Sequence, residues 1–98
     1  MKPLSSIIRK NGFTYILVRA GNRTFIYKQR GPGNHVSYEV FRRKVKARHR
    51  VQGKIIPASL MFPYNEAFGK WAWAYFTLAK ALKKFGEIED SPKGAASS

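Results

Sequence analysis

The chain has 98 residues, and its 19 lysines and arginines outnumber five acids, which gives a formal net charge of +14. Such a length allows one domain with a modest core, and the absence of cysteine excludes disulfides and thiolate metal sites. No apolar run approaches the roughly 20 residues that cross a bilayer, and residues 1–10 lack the apolar stretch of a signal peptide, so we expect a cytoplasmic protein without a membrane span.

Residues 13–30 predict a β-hairpin. The segments 13–20 and 23–30 are rich in β-branched and aromatic side chains, as strands are. Gly21-Asn22 between them tolerates the positive φ angles of a tight two-residue turn. The first strand is apolar on both faces, whereas the second is expected to have its apolar side chains mainly on one face.

A third strand is predicted from Val36 to about Val51. Every second residue in its later part is a cation, and these alternating cations are Arg42, Lys44, Lys46, Arg48 and Arg50. Successive side chains of a strand point to opposite faces, so the five charges would form one ridge roughly 26 Å long. A helix is the competing interpretation and would scatter them around its axis. No N-cap precedes such a helix, however, and Gln52-Gly53 suits a turn.

Pro57 interrupts the predicted strand over residues 54–62. Proline has no N–H to donate to a ladder, so this strand should bend there or lie at an edge of the sheet, beside the alternating cations. An exposed edge of this kind also allows a homodimer that pairs strand to strand.

Residues 66–85 are ambiguous between strand and helix. Aromatic side chains alternate over 71–76 as in a strand, yet an apolar stripe would also fit one long helix. Gly69 and the aromatics in the first half of that helix disfavour it, so we expect a strand followed by a helix that Thr77 caps and Gly86 ends. The core-facing stripe of the helix would be Leu78, Ala81, Leu82 and Phe85.

These elements predict an α+β fold, an antiparallel sheet of four to five strands with one short C-terminal helix packed on one face. The predicted organisation is an N-terminal lead-in arm over residues 1–11, a single basic domain over 12–88 and a disordered tail over 89–98.

The sequence offers little for catalysis, metals or cofactors, so we expect neither an enzyme nor a bound cofactor. His35 and His49 are the only histidines, and no cysteine can join them at a zinc site. The glycine-rich loop of residues 31–35 lacks the spacing and the Lys-Ser/Thr ending of a nucleotide-binding loop. Glu39 is expected to pair with an arginine and Glu66 to serve a turn, so paired carboxylates for acid–base chemistry are not predicted.

The charge predicts a nucleic acid, DNA or RNA, as the partner. A domain this far from neutrality repels itself when compact, and an anionic partner would screen that repulsion, although a solvated basic surface is the plain alternative. The alternating cations would hold phosphates. Supporting contacts are expected from Arg30, Arg43 and Lys54. Candidates for base stacking are Tyr27, Tyr38, Trp71 and Trp73, although core packing is the stronger expectation for the two tryptophans.

The alternative function is a small basic inhibitor or modulator that docks on an acidic surface of a host protein. An exposed apolar patch beside the charge would favour it, whereas the basic face of a nucleic-acid binder can be mostly polar. Binding to an anionic membrane surface ranks third, because it usually needs a basic amphipathic helix.

Residues 38–85 resemble small uncharacterised proteins carried by phages and mobile elements of gut bacteria. The shared features are YEV at residues 38–40, GKIIPA at 53–58, FPYNEAFG at 62–69 and AWAY at 72–75, followed by a short helix that ends in phenylalanine. The resemblance implies a mobile-element origin, with the host cytoplasm as location if the chain is phage-encoded, and a strand over residues 70–76. It implies no function.

Overall fold

The computed structural model describes residues 3–90, which form an α+β fold, as the sequence predicts. The strands are β1 (Ile7–Lys10), β2 (Phe13–Ala20), β3 (Thr24–Arg30), β4 (Val36–Arg42), β5 (Val45–Lys46), β6 (His49–Val51), β7 (Lys54–Ile56), β8 (Ser59–Leu60) and β9 (Ala72–Tyr75), and the helix is α1 (Leu78–Glu89). Short 3-10 turns occur at Pro32–Asn34 and Asn65–Ala67. Of the predicted tail, residues 91–98 lie outside the described residues.

Five strands form one antiparallel sheet in the order β1-β2-β3-β4-β9. The first four are consecutive along the chain, whereas β9 joins β4 after a long excursion. Residues 7–10, which the sequence assigns to the lead-in arm, pair with β2 as the edge strand β1. The strand predicted around residues 71–76 is present as β9, so the long helix that competed with it is excluded.

The turn between β2 and β3 differs from its prediction. The sequence predicts positive φ angles at Gly21 and Asn22, but neither residue has one. Gly21 is required for a different reason, since a Cβ atom at this position would lie 2.5 Å from Oε1 of Glu89. The end of the helix therefore packs too closely on this turn to admit a side chain.

One face of the sheet is covered by α1, and we call it the helix face. Ile26 and Val40 from the central strands are fully buried there. The helix residues packed on them are Ala81, Phe85 and Ile88. Fully burying an aliphatic side chain contributes about 2 kcal/mol, so these contacts hold the helix on the sheet. Leu78 and Leu82 of the predicted stripe are 37% and 36% exposed, which corrects that part of the prediction.

The helix begins where the sequence predicts and ends later. The hydroxyl of Thr77 accepts a hydrogen bond from the backbone N–H of Lys80 at 3.3 Å, which caps the first turn. Gly86 lies inside the helix instead of ending it. The last turn continues because Ile88 is buried against the sheet and the side chain of Glu89 binds the β2–β3 turn.

Glu89 fixes the end of the helix to the sheet. Its carboxylate accepts hydrogen bonds from the backbone N–H groups of Asn22 at 2.6 Å and Arg23 at 2.7 Å, and from the hydroxyl of Thr24 at 3.1 Å. The sequence assigns residue 89 to a disordered tail, and the structure places it in the helix. The pattern of residues does not reveal this contact, because the partners are mainly backbone groups far away in the sequence.

The opposite face, which we call the loop face, is covered by residues 61–71. Phe62 from this segment packs edge-on against Tyr27 and Phe41, each with a centroid distance of 5.3 Å. The rings of Tyr27 and Phe41 stack on each other at 5.7 Å, and Trp71 adds an edge contact to Phe41. β3 is therefore buried on both faces, because it lies at the centre of the sheet. The sequence analysis predicts burial of only one face of this strand.

Candidate nucleic-acid interface

Beyond β4 the chain leaves the five-stranded sheet and folds back on itself as a two-stranded ribbon. β5 pairs with β8 and β6 pairs with β7, both antiparallel. The same register runs through both pairs, from Val45 opposite Leu60 to Val51 opposite Lys54. We treat residues 44–61 as one element and call it the ribbon.

The ribbon forms for two local reasons. β3 begins at Thr24, opposite Arg42, so within residues 3–90 the strand beyond Arg43 has no further partner in the main sheet. Gln52 and Gly53 have φ angles of 49° and 80°, which suit a tight two-residue turn between antiparallel strands. The chain pairs with its own return strand at the turn that the sequence predicts.

Pro57 divides the ribbon into two short pairs. The strands are interrupted at residues 47–48 on one side and at 57–58 on the other, because proline has no N–H to donate to the ladder. The neighbouring strand and its break at Pro57 are confirmed. The single strand predicted from Val36 to Val51 is wrong, since β4, β5 and β6 are separate pieces of it.

Four of the alternating cations lie on one face of the ribbon. Register and alternation place them there, and all are exposed: Lys44, Lys46, Arg48 and Arg50. With Lys54 at the tip, the ribbon has five cations and no acid. From Lys44 to Arg50 this cationic face extends roughly 20 Å. β6 and β7 pack on each other and not extensively on any other described strand or helix, so a partner can approach both faces.

The fifth alternating cation, Arg42, belongs to the main sheet. It ends β4 opposite Thr24, and its guanidinium lies 5.8 Å from the ring centre of Trp73. The ammonium of Lys84 approaches the same ring at 4.2 Å. The continuous ridge predicted from the sequence is therefore shorter by one residue, because the chain turns out of the sheet after Arg42.

The three supporting cations lie in different places. Lys54 is at the ribbon tip, and its pairing with Val51 places it on the face opposite the four cations. Arg43 is exposed at the base of the ribbon. Arg30 ends β3 at the far end of the sheet, roughly 20 Å along the strand from Thr24. The structure does not bring Arg30 to the ribbon.

The face of the ribbon opposite the four cations is largely apolar. Val45, Val51 and Ile56 lie there by register and are 43%, 48% and 38% exposed. Ile55, which is 53% exposed, lies opposite Arg50 on the cationic face. The ribbon therefore combines a charged surface with exposed aliphatic side chains.

The four candidate stacking residues lie in or against the core. Tyr27 is fully buried and Trp71 is 6% exposed, so neither presents an open ring face to a base, which corrects their assignment as stacking candidates. Tyr38 and Trp73 are half-buried beside the helix. The ammonium of Lys44 lies 5.3 Å from the ring centre of Trp71, which connects the ribbon base to the core.

The histidines show no sign of a metal site. Among residues 3–90, no group of three His, Cys, Asp or Glu side chains is placed to hold a metal ion. Nδ1 of His49 lies 3.0 Å from the carbonyl oxygen of Ala47, and His35 is exposed with its ring edge-on to Phe76.

Glu39 is a candidate functional residue that sequence reasoning missed. The residue is 7% exposed and its side chain lies on the loop face, where within residues 3–90 it makes no hydrogen bond or ion pair, so the expected pairing with an arginine is wrong. Burial raises the pKa of this carboxyl to about 7, and the charge of Lys10 partly offsets the effect. Strand alternation was the available signal, because Glu39 shares the face of Phe41.

Comparison of the chain with protein-family models, curated protein sequences and solved structures finds no match. In the described part of the chain, no helix is both long and apolar enough to cross a membrane. The mobile-element origin and the homodimer stay predictions, and the function of the ribbon rests on its geometry and charge.

Proposed function

We propose that the protein binds nucleic acid without catalysis, mainly through phosphate contacts from the cationic face of the ribbon. The observation that supports this most directly is an exposed ribbon with five cations and no acid. Charge concentrated on one open element attracts a polyanion, and binding then releases counterions from the phosphates.

The spacing of the cations suits a phosphate backbone. Side chains on one face of a strand are roughly 6.6 Å apart, close to the roughly 6.8 Å that two phosphates of one DNA strand advance along the duplex. A two-stranded ribbon is also narrow enough to enter the major groove.

Binding of labelled duplex DNA, single-stranded DNA and RNA across a salt series tests the proposal. Four phosphate contacts predict that log Kobs falls with log salt with a slope of about −3.6 on duplex DNA and about −2.8 on single strands. A slope near zero for all three nucleic acids would contradict the proposal.

The exposed aliphatic side chains favour a second candidate, docking on an acidic protein surface in the host cell. Val45, Val51 and Ile56 lie beside the charge, as an interface with a protein would need. Pull-downs from host lysate with and without nuclease treatment separate the two functions. Retention of one stoichiometric protein by the wild type, and its loss when these three residues are replaced by Ser, would favour protein docking. A partner that disappears with nuclease treatment would favour nucleic acid.

A further inference from the structure

A cavity of about 200 Å³ lies on the loop face of the sheet. Its walls come from the sheet, from the β1–β2 turn and from residues 62–68. The lining residues that matter chemically are Lys10, Phe13, Glu39, Phe62, Asn65 and Phe68. Asn65 and Phe68 are exposed, so the cavity opens to solvent.

The carboxylate of Glu39 is the unexplained group in this cavity. The residue as a whole is 7% exposed, and its carboxylate has no hydrogen-bond or ion-pair partner in the described part of the chain, although the sequence contains 19 lysines and arginines. Its polar neighbours satisfy one another, since the hydroxyl of Ser37 donates to Gln29 at 2.6 Å and the amide of Gln29 donates to the hydroxyl of Tyr15 at 3.0 Å. Neither carboxylate oxygen of Glu39 is among the fully buried, unpartnered side-chain atoms of the described residues, so the carboxylate is open to the cavity and can accept from a ligand there.

The other lining groups restrict the ligand. Phenylalanine rings supply flat apolar walls, and the ammonium of Lys10 lies 5.9 Å from the ring centre of Phe62. The same ammonium acts electrostatically on Glu39, so a cation and a carboxylate share the cavity. Lys10 disfavours a cationic guest, and Glu39 disfavours an anionic one. The combination suits a flat, neutral molecule whose N–H donors stand beside a carbonyl acceptor.

Among the nucleobases, guanine matches this pattern best. Its Watson–Crick edge presents two adjacent donors, N1–H and N2–H, next to the acceptor O6. Adenine and cytosine place a ring acceptor beside their amino group, and uracil and thymine have a single N–H between two carbonyls. A carboxylate can accept from two adjacent N–H groups, so it favours guanine over the other four bases.

We propose that the cavity receives an unpaired guanine base, whose N1–H and N2–H donate to the carboxylate of Glu39 and whose O6 accepts from Lys10. This inference rests on the proposed function, in which the ribbon holds the strand that presents the base. A volume of about 200 Å³ has room for one base, so its sugar and phosphate would remain outside. Residues 62–68 follow directly from the second strand of the ribbon, which links the two surfaces along the chain.

Fluorescence anisotropy with single-stranded thymine tracts tests the inference. Each tract contains one central guanine, inosine or adenine, and inosine keeps N1–H and O6 but lacks the amino group. The wild type should bind the guanine tract about tenfold more tightly than the adenine tract, with inosine between them. Glu39→Gln should remove this preference and leave the salt slope unchanged, while Glu87→Gln, which removes an exposed carboxylate, should keep the preference.

The outcomes separate this inference from the proposed function. Equal affinity for the guanine and adenine tracts, together with a steep salt dependence, would overturn the guanine site and leave the ribbon proposal standing. If no strand binds, the ribbon proposal fails, and a millimolar titration with guanosine 5′-monophosphate decides the cavity alone. Amide NMR shifts at residues 10–15 that Glu39→Gln abolishes would support the site as one for a free nucleotide, and their absence would overturn it.

Discussion

The ribbon and the five-stranded sheet differ in what their side chains contact. In the sheet, Ile26, Tyr27, Val40 and Phe41 are fully buried and face two separate clusters. In the outer ribbon, β6 and β7 contain no fully buried residue, and all the formal charge is positive. Stability therefore arises mainly in the sheet, and the surface offered to a partner lies mainly on the ribbon. Substitutions in the ribbon should therefore leave the stability nearly unchanged, and conservative substitutions in the sheet should leave binding nearly unchanged.

The largest expected effect on stability comes from the core. Phe41→Ala should lower the free energy of unfolding by about 4 kcal/mol, because a fully buried ring would leave a cavity on the loop face. Ile55→Ala, in the ribbon, is the matched control and should lower it by about 0.5 kcal/mol. Urea unfolding followed by circular dichroism measures both. A similar loss for the two variants would show that the ribbon belongs to the folding core.

Glu39 provides a pH-dependent test of the same loop face. Its pKa of about 7 in the folded protein exceeds the 4.5 of a free glutamate, so the folded state binds more protons between these values and loses stability as the pH rises through 7. Glu39→Gln removes the buried charge and should raise the free energy of unfolding by about 2 kcal/mol near pH 8 and by about zero near pH 4.5. A gain that is equal at both pH values would mean that ionisation of Glu39 is not its cause.

Glu89 is expected to have a smaller effect of opposite sign. Glu89→Gln replaces a carboxylate that accepts hydrogen bonds from two backbone N–H groups with a neutral amide. Charged acceptors contribute more than neutral ones, so the free energy of unfolding should fall by about 1.5 kcal/mol. Glu87→Gln is the control, because Glu87 is exposed and its ion pair with Lys84 is 3.9 Å long. Equal and small effects in thermal unfolding would show that the helix end is held by packing alone.

Local patterns predicted the elements of the fold well. β-Branched and aromatic composition identified the strands that became β2 and β3, alternation identified β9, Thr77 marked the helix start, and Gln52-Gly53 marked the ribbon turn. These features depend on residues close together in the sequence. The role of Gly21 and the later end of the helix were missed, because both depend on the contact of Glu89 with a distant turn.

The candidate site was predicted in part. Alternation correctly grouped four cations on one face, but it could not show where the chain leaves the main sheet, since that depends on β3 beginning at Thr24. Arg42 therefore lies apart from the other four. The sequence predicts an arginine partner for Glu39, because the chain is so basic. The burial of this residue depends on residues 61–71, which pack over the loop face and are distant in the sequence.

The most direct test of the ribbon as the binding surface compares two variants of equal net charge. The ribbon variant replaces Lys44, Lys46, Arg48 and Arg50 with Gln. The control variant replaces four other cations with Gln. They lie on the helix side of the sheet: Arg9, Lys28, Lys80 and Lys83. Salt-series titration of duplex DNA measures the affinity and the salt slope of each variant beside the wild type.

We expect the ribbon variant to bind about 1,000-fold more weakly at ~0.1 M salt, with a salt slope smaller by about 3.6, and the control to lose about fivefold or less. Both variants should keep the stability of the wild type within about 0.5 kcal/mol. Equal losses of affinity in the two variants would show that the charge acts as a diffuse field and would contradict the ribbon as the binding surface.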